Sequence, residues 1–67
     1  MSAALVTAEV KAVLRDLAYF SSQGVRIAIV QATPEGGVSV GVDGDAVAAA
    51  QLLGSWYPFP VVCWKFE

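Results

Sequence analysis

The sequence predicts a small α+β domain ordered helix, strand, strand, helix, strand, and three observations carry that prediction. Apolar residues recur at helical spacing through the first third, the stretch after Gly24 switches to a period of two, and an uncharged helical run after Asp45 separates that hairpin from a closing β-rich segment. A right-handed crossover through the second helix would set the last strand beside the first. The expected sheet is therefore three-stranded and antiparallel, of order 2-1-3, with two helices on one face. The 67 residues make one domain, 1–67, because a chain this short buries only about 60% of its unfolded surface and builds a single core.

Each element has its own justification. At ~100° per residue, Val6, Val10, Val13, Leu14, Leu17 and Phe20 share one face of the first helix. Either Thr7, with Glu9 behind it, caps the amino end or the helix starts earlier near Ser2, and Gly24 supplies a left-handed stop. On the far face Ala8, Ala12 and Tyr19 form a strip flanked by charges, which is either a solvated surface or a seam for a second helix. Val25 to Ala32 and Val38 to Val42 are β-rich, and Pro34-Glu35-Gly36-Gly37 between them is hairpin-turn chemistry. Alternation sets Val25, Ile27 and Ile29 with Val38, Val40 and Val42 toward the helices, leaving Arg26, Ala28, Val30, Ser39 and Gly41 on an open face.

Asp43-Gly44-Asp45 opens the second helix, about Asp45 to Trp56, with Ala49, Leu52, Leu53 and Trp56 on one side and a strip of Val47, Ala50 and Gly54 on another. After Pro60 comes a closing strand, Val61 to Phe66. The bulk of Val62, Trp64 and Phe66 assigns them to the core and turns Val61, Cys63 and Lys65 outward.

Composition narrows the function. Hydrophobic residues make up 57% of the chain, mean hydropathy is +0.62, and the net charge is only −2. Such a chain collapses, and it has more apolar surface than a monomer of this size readily hides. Self-association is the expectation, with Val47, Ala50 and Tyr19 as interface candidates. A single Cys63 precludes an internal disulfide, and Met1 to Val6 has no basic region of a secretory signal, so the chain reads as cytoplasmic. Gln51, Gly54, Pro58 and Pro60 interrupt the longest uncharged stretch, Ala46 to Trp64, so no membrane partner is expected.

The catalytic inventory is short. The chain has no His, so Cys63 has no imidazole to activate it and reads as an inert thiol. Asp43 and Asp45 are the only close carboxylate pair, and the order Asp-Gly-Asp before an Ala-rich run favours a helix cap over a metal site. No cofactor and no metal ligand set is expected.

Five of the seven aromatic residues, Trp56, Tyr57, Phe59, Trp64 and Phe66, lie in the last twelve positions. Two prolines stiffen Trp56-Tyr57-Pro58-Phe59-Pro60, in an aromatic-proline context where cis bonds are more frequent than average. Such a loop serves either as a binding anchor or as a lid on the core. As an anchor it makes Trp56, Tyr57 and Phe59 binding candidates, and Tyr57 is the one expected to turn its ring outward. Arg26 and Lys65 join them as cations on the open face, suited to a phosphate or carboxylate. With four Lys and Arg against six Asp and Glu, and with Trp64 and Phe66 facing inward, nucleic acid is disfavoured.

The leading expectation is a non-enzymatic, oligomeric binding protein that occupies or sequesters a partner protein, in the manner of small inhibitors encoded by phages and other mobile elements. An Ala- and Val-rich composition without Asn, typical of GC-rich bacterial genomes, agrees with that origin. The alternative is a binder of a small anionic ligand or nucleotide, its pocket assembled between protomers from Trp56, Tyr57, Arg26 and Lys65. An enzyme using Asp43 and Asp45 with a metal is a third, weaker reading.

Overall fold

A computed structural model describes residues 7–66. Its order is α1 (Ala8–Arg15), α2 (Leu17–Ser22), β1 (Ile27–Ala32), β2 (Val38–Val42), α3 (Ala46–Trp56) and β3 (Val61–Lys65). The class is the expected α+β, but the sheet order is β1-β2-β3 and the sheet is mixed. β1 pairs antiparallel with β2, whereas β3 pairs parallel with β2 on its other side. The cause is helix placement. α1 and α2 pack on β1, so α3 must lie beside them, where it packs chiefly on β3 and only lightly on β2. The crossover therefore carries β3 to the far side of β2 rather than over to β1.

One helix was expected where there are two. Thr7 caps α1 as expected, its hydroxyl accepting from the Val10 amide at 3.2 Å. The helix breaks at Asp16, whose amide turns to the Val13 carbonyl, three residues back rather than four. Val10, Val13 and Phe20 are buried, but Leu14 and Leu17 of the same expected face are exposed. Val6, placed on the same face by periodicity, lies outside the described residues. Gly24 ends α2 at φ 83°, the left-handed conformation its position called for.

The Ala12 carbonyl, deprived of the Asp16 amide, accepts from the Tyr57 hydroxyl at 3.2 Å. That hydroxyl lies closer still, 2.9 Å, to Asp16 Oδ2, which also accepts from Trp56 Nε1 at 3.2 Å. Arg15 closes on the same carboxylate, with Nε at 3.2 Å from Oδ1. One carboxylate thus ties the helix break to the end of α3. The Arg15 hydrogen bond, then the Tyr57 hydroxyl, hold the Asp16 carboxyl below the ordinary carboxylate range. Burial first, then the neighbouring Asp16 carboxylate, hold the Tyr57 phenol above its usual value.

The core is one cluster in which Val38, Val40 and Val42 of β2 meet Val10, Val13, Phe20, Ala49, Leu53 and Tyr57. All three helices therefore cover the same face of the sheet. A bulge between Ile27 and Ile29 resets the parity of β1, so that Val30 and Ala32, not Ile29, pair with Val40 and Val38 on the core side. On β3 the expected parity is inverted. Val61 and Cys63 pair with Val38 and Val40 and pack against the core, while Val62 and Trp64 pair with Ser39 and Gly41 on the uncovered face.

Two outcomes test this account. Asp45 Oδ1 accepts from the amides of Val47 and Ala48 at 3.0 and 3.1 Å, so it is the α3 cap. Asp45→Ala should lower stability in urea denaturation by about 0.5–2 kcal/mol, while Asp45→Asn should match wild type. The Asp16–Tyr57 pair predicts a pH dependence on both sides. Asp16 contributes fully above the ordinary carboxylate value of about 3.9 and loses its contribution as pH falls below it, whereas Tyr57 contributes fully below about 10 and loses its contribution above. In melting temperatures recorded against pH, Asp16→Asn should make the acid limb shallower and Tyr57→Phe the alkaline limb. Tyr57→Phe should also cost about 1–3 kcal/mol at neutral pH.

Candidate functional site

The sheet face that no described element covers is the site the fold presents. Ile29 and Gln31 of β1, Ser39 and Gly41 of β2, and Val62 and Trp64 of β3 share it by register, and Phe66 follows just beyond. Val62 is 58% exposed, Phe66 42% and Trp64 36%, although Trp64 and Phe66 are among the bulkiest apolar residues in the chain. The indole of Trp64 lies down across the central strand. A Cβ built on Gly41 would stand 2.8 Å from Trp64 Cη2 and 2.6 Å from Ile29 Cγ2, so only glycine admits the ring there. Trp64 Nε1 donates to Ser39 Oγ at 2.8 Å, which fixes the ring's rotation. The Phe66 ring sits beside it, 6.0 Å between centroids and tilted by 46°. The result is a rigid aromatic platform, its indole held from below and at its edge.

In the aromatic-proline loop, Tyr57 and Phe59 pack onto the core as a lid. Tyr57, expected to turn outward, is only 8% exposed, with its ring edge-on to Phe20 at 6.0 Å and stacked on Phe59 at 4.9 Å. The cause is the Ala12 carbonyl and Asp16 carboxylate, which give its hydroxyl a partner inside the fold. Phe59 is half-buried against the same cluster. Trp56, set by helix phase on the side of Ala49, Leu52 and Leu53, is exposed at the end of α3, where it stacks on Tyr19 at 4.5 Å and bonds Asp16. The loop's peptide bonds are trans.

Arg26 and Lys65 occupy the same end of the sheet, since Ile27 and Lys65 both pair with Val42. They are not joined there by Trp56 or Tyr57, which Asp16 holds on the helix side. Lys65 pairs with core-facing Val42 rather than with the open-face residues. Cys63 is half-buried on the core side, and burial raises its thiol, which disfavours the nucleophilic thiolate. Of the three interface candidates, Val47 is 70% exposed, Ala50 is half-buried, and Tyr19 is occupied by its stack on Trp56.

Sequence reasoning missed Val62, Trp64 and Phe66 as a site because it equated bulk with burial. The available signal was Gly41, a glycine between valines in a central strand, which marks a place where something large lies close to the backbone. Comparison with protein-family models, curated proteins and solved structures finds no match to this chain.

The seat under Trp64 can be tested directly. Gly41→Ala should lift the indole, break its bond to Ser39 and cost about 1–3 kcal/mol through overpacking. In a Trp56→Phe background, where Trp64 is the remaining tryptophan, its fluorescence should become more accessible to acrylamide. Unchanged quenching and stability would mean that the ring does not rest on Gly41.

Proposed function

We propose that this chain is a non-enzymatic binding protein that acts by occupying an apolar surface of a partner protein with its open sheet face. The observation that carries the reading is the clamped indole of Trp64 flanked by Val62 and Phe66. Burial of a Trp at the centre of an interface is worth ~2 kcal/mol or more. A ring already fixed by Gly41 and Ser39 surrenders little rotamer freedom on binding. The chain can therefore act by obstruction, with no chemistry required of it.

The exposure of Trp64 and Phe66 removes one of the two objections to nucleic acid, because stacking aromatics on a sheet are what single-stranded RNA modules use. The other objection stands. With a net charge of −2, the chain has little with which to neutralise a phosphate backbone, which supplies most of the affinity in such complexes. A neutral, apolar protein surface matches the platform better. The pocket of Trp56, Tyr57, Arg26 and Lys65 has no comparable support, and Asp45, the key residue of the metal reading, already accepts two amides as a cap.

Affinity capture from lysate of the source organism tests the proposal, with wild type, Trp64→Ala and Trp56→Phe immobilised in parallel and the eluates quantified by mass spectrometry. A protein retained by wild type and Trp56→Phe should be lost from folded Trp64→Ala. Equal retention by all three would place binding elsewhere.

A further inference from the structure

We infer that β3 pairs edge to edge, antiparallel, with β3 of a second copy about a two-fold axis at Cys63, joining two sheets into one. This inference does not depend on the binding role of the open face. It starts from the ladder between β2 and β3. The Val38 amide donates to Pro60 O at 3.0 Å, and the Phe66 amide donates to Val42 O at 2.8 Å. Even-numbered residues of β3 therefore bond inward to β2, and the alternation of a strand turns the N–H and C=O of Val61 and Cys63 away from the sheet. Among the described residues β3 is an edge strand.

The two edges of the sheet are not equivalent. β1 is interrupted by the bulge between Ile27 and Ile29, a common protection against edge pairing. β3 runs in unbroken register from Val61 opposite Val38 to Lys65 opposite Val42, and its only charged residue is at its end. Such an edge accepts an extended backbone rather than a side-chain surface. A second β3 fits by symmetry, because a two-fold axis at Cys63 opposes outward-facing Cys63 with its own copy, and the two exchange both hydrogen bonds. The same register sets Val62 beside the copy's Trp64 on the open face. Exposed apolar residues of both copies then become one patch.

The layer above agrees. α3 lies over β3, has no charged residue, and turns Trp56 toward Tyr19 of α2. Its opposite flank, carrying Val47, Ala50 and Gly54, therefore faces the β3 side, and at Gly54 the space a Cβ would enter is open. Magnitudes favour this wall over the flat face as the dimer contact. Three strands of five or six residues present a footprint of roughly 250 Å². The wall of β3 and α3, ~17 Å long and two layers deep at ~10 Å each, projects roughly 350 Å². Stable interfaces start near ~600 Å² per partner, so the pairing should be reversible and micromolar rather than permanent.

Sedimentation equilibrium from low micromolar to near-millimolar concentration, with backbone hydrogen exchange at both extremes, tests this. The expected result is a monomer–dimer equilibrium in which protection of the Cys63 amide rises with concentration. Cys63→Pro removes the outward N–H without touching a residue bonded to β2, and should weaken association at least tenfold; Ala50→Glu should weaken it as well, and Cys63→Ser should not. A monomer at every concentration would overturn the inference. So would a dimer whose Cys63 amide exchanges equally fast at both extremes, a readout that holds even if Cys63→Pro fails to fold.

Discussion

β2 sends Val38, Val40 and Val42 into the helices and Ser39 and Gly41 to the other side, and this parity at the centre of the sheet governs both of its neighbours. A strand paired on each side imposes its alternation on both partners. On β1 the bulge at Ile27–Ile29 is the local adjustment that brings Val30 and Ala32 into line with Val40 and Val38. On β3 it leaves small Val61 and Cys63 under α3 and puts Trp64 over Gly41. Among the described residues, helices cover only the valine side. The exposed aromatics thus follow from the core itself.

Asp16 performs the complementary task among the helices. By turning its amide back to Val13 it ends α1, and its carboxylate then recruits the tyrosine and tryptophan that close α3. Two peptide segments some forty residues apart in sequence are joined through one side chain that stays 17% exposed. Because that carboxylate retains contact with water, the join avoids the full desolvation cost of a buried charge. It also orders the aromatic loop, whose Tyr57 ring meets Phe20 edge-on and whose Trp56 ring stacks on Tyr19.

Local features were legible in the sequence. Thr7, Gly24, the turn around Pro34 to Gly37, the Asp45 cap and the bounds of β2 all follow from nearest-neighbour chemistry, and each stands where expected. What could not be read was set by longer-range competition. The order β1-β2-β3 depends on where α1 and α2 already sit, and the inverted parity of β3 depends on which strand it meets. Loop position turned Tyr57 outward, since nothing local signals that Asp16 breaks the first helix and presents hydrogen-bond acceptors to the loop. Bulk misled at Trp64 and Phe66, while Gly41 held the compensating clue.

Trp64 lies outside and Tyr57 inside, and nuclear Overhauser contacts in isotope-labelled protein report both at once. Cross-peaks should join the Trp64 indole to the Gly41 Hα protons and the Ile29 methyls, and the Tyr57 ring to Phe20 and Phe59. Contacts from the Trp64 indole to Leu53, Val40 or Phe20 would place that ring in the core and contradict the sheet parity on which the site, the edge pairing and the proposed function all rest.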